Sequence, residues 1–499
     1  VLKDGIAIKG VHRLKHIFSK VTLTIGLILA FLLTTSLSIA QDSIDINAID
    51  SFIQSQLQAN GIPGVALAIT YQDRVVYLQG YGDSITSQTQ FFIASLTKSF
   101  TAVAVMQLVD AGQIDLDTPV KTYLSEFTTA DPALSDQITI RQLLNQVSGL
   151  SDSGFPEGRL PQPSTTEERV TSLSSAQVVS EPGSEFHYFN PNYGILARIV
   201  EVVSGQSISD YLQAHVFTPL EMTNTFNALT STEAMQNTNA LAQGHLMVYG
   251  LPVAMSEMSG YLGGSGGMIS TAEDMANYLI FQNGNGQYGG ETILSEASLN
   301  LMHTPPAGVD SNYAMGWMQM SENGVQTIEH NGILSAFYAE MVLLPDSEYG
   351  VALLYNVNSL PDSFFAFPSI KQGVIALLTG GQPPQYGFTV RYWGIFAAVL
   401  TLVGGGLALR SLLRLSHWRE RNASTAGWRL LPGIVWTITP AVVVAALPWL
   451  VVLTSGRAFS YEQLFRYMPD ISLWLAICAV LGIINALMRI AFLLRRSRV

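Results

Sequence analysis

Apolar residues recur along this chain with several rhythms, and each rhythm predicts a different kind of element. Ile44–Ala59 (IDINAIDSFIQSQLQA) spaces them as an amphipathic helix does, and Asn60-Gly61 closes it. Gly64–Tyr71 (GVALAITY) and Arg74–Tyr81 (RVVYLQGY) read as two strands joined tightly through Gln72-Asp73. Phe91–Gly112 (FFIASLTKSFTAVAVMQLVDAG) is apolar on nearly every face, which predicts a helix at the centre of a domain, stopped at Gly112. Residues 115–210 read as mostly helical, interrupted by a Pro/Ser/Thr-rich loop from Phe155 to Thr166. Strands return at Tyr313–Met320, Gln326–His330, Ala336–Leu344 and Gly350–Val357, before a closing helix at Phe364–Leu378. Strands at both ends with helices between them predict an α+β fold: one sheet built from distant segments, with a helical insertion.

Longer apolar runs follow a different logic. Basic residues (Lys3, Lys9, Arg13, Lys15, Lys20) precede an apolar stretch, Val21–Ala40, that ends in the small residues Ser38-Ile39-Ala40. This is the pattern of a signal peptide, cleaved or retained as an anchor. Trp393–Leu409, Leu430–Leu453 and Ile471–Leu494 are each about long enough to span a bilayer. Only the third holds an ionisable residue, Arg489, near its end, so an ion path is not indicated and the three read as anchors. The chain divides accordingly into a leader (1–40), a domain (41–378), a linker (379–392) and a membrane domain of three transmembrane helices (393–499).

Charge orients these segments. Arg410, Arg414, Arg419, Arg421 and Arg429 lie between the first two spans, and Arg495, Arg496 and Arg498 form the tail. The loop Thr454–Asp470 has two arginines and two acids. Placing the basic loop and tail in the cytoplasm puts residues 41–388 outside. The expectation is a multi-pass protein of the bacterial cell membrane, with the lipid bilayer as a partner and the domain on the extracytoplasmic side. Residues 41–388 carry eight Lys/Arg against 33 Asp/Glu, which argues against nucleic acid as a partner. The one cysteine, Cys478, lies in the third span, and the eight histidines are scattered. Neither a metal site nor a cofactor is expected.

Within the apolar Phe91–Gly112 segment, Ser95 and Lys98 stand three residues apart, so the amine can reach the hydroxyl along one helix face. Burial favours the neutral amine, the form that takes a proton from serine. Lys98 is the only lysine preceded at three residues by serine. Tyr188 is the only one of nineteen tyrosines with asparagine two residues on, Asn190, in a turn before a helix. A phenol and a carboxamide there suit a proton relay beside a hydrogen-bonding amide, and a capping turn at Asn190 or Asn192 is compatible with it. His330-Asn331-Gly332 is the only H-x-G, and its glycine lets a substrate lie against a strand edge.

S-x-x-K, Y-x-N and H-x-G, in that order, resemble the motifs of the penicillin-binding and class C beta-lactamase superfamily of serine hydrolases. Leu143–Leu150 (LLNQVSGL) is similar to that group's LLxHTSGL loop, and Gly267–Asp274 (GMISTAED) to its GGxxSTAxD segment. The likeness covers about residues 44–378. It implies an antiparallel sheet flanked by helices, with Ser95 as nucleophile, Lys98 as its base and Tyr188 as the relay that activates water. It further implies that Asn190 holds the Lys98 amine and a substrate amide, with His330 standing where related enzymes have the lysine of K-T-G. The oxyanion hole would be the backbone N–H groups of Ser95 and of Ile333, just past Gly332. Gln146-Val147 and Ser335-Ala336-Phe337 depart from the family pattern and are expected near the site entrance. The histidine argues against a true beta-lactamase. The expected substrate is a small molecule or peptide carrying an ester or amide. Alternatives are a cell-wall D,D-peptidase or beta-lactamase, and a membrane receptor acylated without turnover.

Overall fold

The computed structural model describes residues 44–322, 324–384 and 387–496, so the leader expected at residues 1–40 lies outside the described residues. Six strands form one antiparallel sheet: β1 (Gly64–Tyr71), β2 (Arg74–Gly82), β3 (Met318–Glu322), β4 (Val325–Ile333), β5 (Tyr338–Leu344) and β6 (Tyr349–Tyr355). Their order across the sheet is β3-β4-β5-β6-β1-β2. Distant segments meet where β1 pairs with β6, in a register that sets Val65 opposite Tyr355 and Tyr71 opposite Tyr349. The three central strands are buried along almost their whole length, which is why their sequences are continuously apolar.

Helices cover both faces of this sheet. Leu279 of the helix Ala272–Asn283 lies against Gly350 of β6. On the other side Phe367, at the start of the helix Phe367–Leu378, stacks 4.2 Å from Tyr338 and 4.3 Å from Tyr355. The long insertion between β2 and β3 is built around α1 (Thr97–Asp110), which is buried from Thr97 through Met106 and packs against α2 (Pro191–Ser204).

Three local expectations change. Phe91–Phe92 is a short strand, Ala94–Leu96 a 3₁₀ turn, and the α-helix starts only at Thr97. Residues 115–210 hold short helices such as Val120–Tyr123, Ile140–Leu144 and Thr166–Ser172 within long turns, because Pro119, Pro132, Pro156 and Gly149 interrupt the apolar runs. The strand expected from Tyr313 begins at Met318, since Gly316 adopts φ +83° where a Cβ would meet Ser99 N at 2.7 Å.

After the domain come α3 (Val390–Leu413), α4 (Leu431–Ser455) and α5 (Pro469–Arg496), which are long and apolar enough to cross a membrane. α5 packs on both others, and Gly482 allows contact so close that a Cβ there would overlap the Thr437 carbonyl. Their outer faces present apolar side chains: Leu402, Trp436 and Leu453 are 75%, 77% and 82% exposed. The described residues from Asn47 onward form one compact unit. α3 begins inside the segment expected as linker, and Val390 N–H donates to Asn60 Oδ1 at 3.1 Å. Tyr249 N–H donates to Asp470 Oδ1 at 2.6 Å, so the junction is docked at two points.

Candidate active site

Ser95 is positioned by a strand that stops abruptly. Phe91 and Phe92 pair with Ser270 and Ile269, and Ile93 N–H donates to Met268 O at 3.0 Å. Ala94 then takes a left-handed conformation, φ +49°, which a non-glycine residue holds only when its surroundings impose it. The chain turns there into α1 and leaves Ser95 half-buried at the mouth of an otherwise buried helix start. The Gly267–Asp274 segment noted in the sequence supplies the partner strand and holds Thr97, whose Oγ1 accepts from Met268 N–H at 3.2 Å.

Lys98 is completely buried, with Nζ 3.0 Å from Ser95 Oγ. Its amine also donates to the carbonyl of Ser265 at 2.8 Å. Burial holds the Lys98 pKa well below the ordinary lysine value; the Arg457 charge adds to this and Glu157 opposes it. That shift favours the free amine, the form whose lone pair can take the serine proton. The rings of Tyr188 and Tyr193 lie 5.0 and 5.8 Å from Nζ. Burial pushes the Tyr188 phenol up to about 12, although the Ser95 side chain and Arg457 pull it down. Tyr188 is thus a proton donor at neutral pH, while Lys98 is ready to accept.

His330 sits on β4 where the strand has left β3, whose pairing ends at Glu329, so its free edge faces the Ser95 turn. Its Nδ1 donates to the Asn331 carbonyl at 2.6 Å, which assigns the ring proton to that nitrogen. Nε2 is then a bare acceptor, buried and unpartnered among the described residues. Burial, with Lys98 nearby, drops the His330 pKa to about 3, so this ring is neutral and cannot replace a cationic lysine. Gly332 brings the strand edge onto the nucleophile: a Cβ there would stand 2.3 Å from Ile93 O and 3.1 Å from Ser95 N. Ile333 follows in register opposite Tyr338 and is 42% exposed.

The structure brings Ser95, Lys98, Tyr188, His330 and Gly332 together, and departs from expectation at Asn190. Asn190 starts α2 with no side-chain cap, and among the described residues no hydrogen bond joins it to Lys98. The Ser265 carbonyl occupies that role, because the glycine-rich run Gly263–Gly267 lets its backbone approach α1. Gln146 and Val147 are buried rather than at an entrance. Gln146, at φ +59°, accepts from Phe189 N–H at 3.1 Å and from Asn192 at 2.7 Å, and so fixes the turn that carries Tyr188. Ser335, Ala336 and Phe337 are also buried, and Ser335 and Ala336 bond Glu257. Sequence reasoning also missed Arg457, whose guanidinium lies 5.2 Å from the Tyr188 ring centroid. Counted only as a loop charge, it gave no signal of its position.

Among the described residues no group of three or more His, Cys, Asp or Glu side chains is placed to hold a metal ion.

Comparison with known proteins gives a consistent picture. A family model described as Beta-lactamase matches residues 49–374. Penicillin-binding protein 4 of Amycolatopsis lactamdurans is 31% identical over 348 residues, covering 65% of this chain and 88% of that protein. Protein flp of Staphylococcus aureus (strain MW2) is 29% identical over 321 residues, 62% of this chain, and the match spans only 63% of that relative's length. The octameric penicillin-binding protein homologue from Pyrococcus abyssi superposes with a TM-score of 0.58 at 26% identity, covering 68% of this chain and 78% of that one. EstCE1, a hydrolase with promiscuous acyltransferase activity, shares the fold, with a TM-score of 0.52 at 23% identity over 64% of this chain and 95% of its own.

Proposed function

Because this chain belongs to the beta-lactamase family, we propose that it is a serine hydrolase that cleaves an ester or amide through an acyl-enzyme on Ser95. The observation that carries this reading is the fully buried Lys98 amine, 3.0 Å from Ser95 Oγ, whose burial favours its neutral form. Ser95 Oγ attacks the substrate carbonyl while its proton passes to Lys98. The backbone N–H groups of Ser95 and Ile333 stabilise the oxyanion, with Gly332 providing the close approach. Protonated Lys98 and the Tyr188 phenol return the proton to the leaving group. Deacylation runs the same relay in reverse, with water as nucleophile and Asn190 facing the substrate. Neutral His330 offers Nε2 as an acceptor to a substrate donor, which favours an ester or amide over a ligand gripped through its carboxylate at that position.

The protein resides in a bacterial cell membrane with residues 44–378 outside. Three candidate spans support this, as do the arginine-rich segment between α3 and α4 and the packing of the α4–α5 loop against the domain. A second reading, a cell-wall D,D-peptidase or beta-lactamase, rests on the likeness to penicillin-binding protein 4. A receptor that is acylated without turnover is the third. Labelling with a fluorophosphonate probe, followed by nitrophenyl esters, nitrocefin and D-alanyl peptides, separates them. We expect ester turnover and loss of labelling in Ser95→Ala. Full labelling of that variant overturns the assignment, and labelling without turnover favours the receptor.

A further inference from the structure

The membrane helices were expected to be anchors, yet the loop between α4 and α5 reaches the catalytic residues. Arg457 Nε donates to Asp152 Oδ2 at 3.0 Å, and Ala458 N–H donates to the same oxygen at 2.9 Å. Asp152 is only 3% exposed, so this carboxylate is a built receptor for the loop. Arg159 reinforces the dock, donating to Pro448 O at 2.5 Å and Phe459 O at 3.3 Å while lying over the Trp449 ring. Gly158 faces the loop so closely that a Cβ would stand 2.5 Å from Ala458 O. Farther along, Arg466 donates to Ser256 O at 2.8 Å. Five hydrogen bonds therefore hold the loop so that one guanidinium lies over the Tyr188 ring.

We propose that Arg457 is a positioning residue of this hydrolase, delivered by the membrane module, whose fixed charge tunes the Ser95–Lys98–Tyr188 relay. The inference rests on the acyl-enzyme reading above. A guanidinium keeps its proton at any working pH, so it is a constant source of positive potential. The groups facing Lys98 are few. Ser95 and the phenols of Tyr188 and Tyr193 are uncharged at neutral pH, as are Tyr313 and His330, packed against Tyr188. Glu157 pulls the amine toward protonation but is engaged by Arg169 at 2.8 Å. Arg457 acts in the opposite sense and favours the free amine, its potential partly offset by the Asp152 carboxylate it binds. Detaching the loop would remove that potential, which ties proton transfer at Ser95 to an intact membrane domain.

The test uses the full chain in nanodiscs, reading the pH dependence of kcat/KM for a nitrophenyl ester and of single-turnover probe labelling at Ser95. Arg457→Gln should raise the acid limb by about one pH unit, with labelling recovering at high pH. Arg457→Lys should bring the limb back toward wild type, because it restores charge rather than shape. Arg159→Gln, which loosens the dock and leaves Arg457 itself intact, should move the limb in the same direction by less than Arg457→Gln. An unmoved limb there together with an unmoved limb in Arg457→Gln counts against the dock. A profile for Arg457→Gln that overlays wild type, or an equal shift in Arg457→Lys, overturns the proposal. Wild-type protein that does not label at Ser95 overturns instead the acyl-enzyme reading on which it stands.

Discussion

α1 and the apolar run of α5, Ile471–Leu494, each carry one cation, and they accommodate it in opposite ways. Lys98 of α1 is wholly enclosed, held by one carbonyl and one hydroxyl between two tyrosine rings, and burial shifts it toward the neutral amine. Arg489 of α5 lies near the arginine-rich end of its helix, donates to Ser411 Oγ at 3.1 Å and Gly433 O at 3.3 Å, and sits over the Trp418 ring. A lysine can become neutral at modest cost, so burial converts it into a base. An arginine cannot, so its charge must find partners or the membrane boundary. In the function proposed above, similar composition serves proton transfer in one helix and anchoring in the other.

The sharpest way to break this contrast is to exchange the cations. Lys98→Arg keeps the charge and removes the lone pair, so acylation should fall by about 10²–10⁴-fold, nearly as far as in Lys98→Ala. Single-turnover burst kinetics on folded protein measure both, and near-wild-type acylation by Lys98→Arg would make Lys98 an electrostatic partner only. A smaller effect is expected at Gly332. Gly332→Ala drives a methyl group into the Ile93 carbonyl and the Ser95 turn, costing about 1–3 kcal/mol of stability and displacing the nucleophile from the strand edge. Thermal unfolding together with labelling rate reads this, and an unchanged rate would separate the strand edge from catalysis. The smallest effect belongs to the membrane helix: Arg489→Leu should leave acylation within about twofold of wild type while weakening positive-inside orientation. Protease added to intact cells should still digest the domain and spare an epitope in residues 414–429. Digestion of that epitope in the parent protein would reverse the orientation proposed for the α3–α4 segment.

Much of the site was legible because it is local. Ser95 and Lys98 are three residues apart in an apolar run, so helix geometry alone brings oxygen and amine together once burial is granted. Tyr188 and Gly332 announced themselves by short spacings, and the sheet by strand runs at both ends of the domain. The contact to Lys98 expected of Asn190 is not made, for the converse reason. Its placement depends on how the turn before α2 is held, and that is decided by Gln146, more than forty residues earlier.

By itself the sequence determined which groups can do chemistry: a hydroxyl beside an amine in apolar surroundings, an imidazole at a strand end, three helices long enough for a bilayer. These follow from side-chain identity and from periodicities of two to four residues, which any reader of the chain can count. Only the tertiary structure decided who else faces them. The Ser265 carbonyl reaches Lys98 across 167 residues of chain. Arg457 meets Asp152 across 305, from a helical module with no catalytic motif of its own. Neither contact leaves a periodic trace, because it is made by packing between elements whose relative placement depends on the whole core.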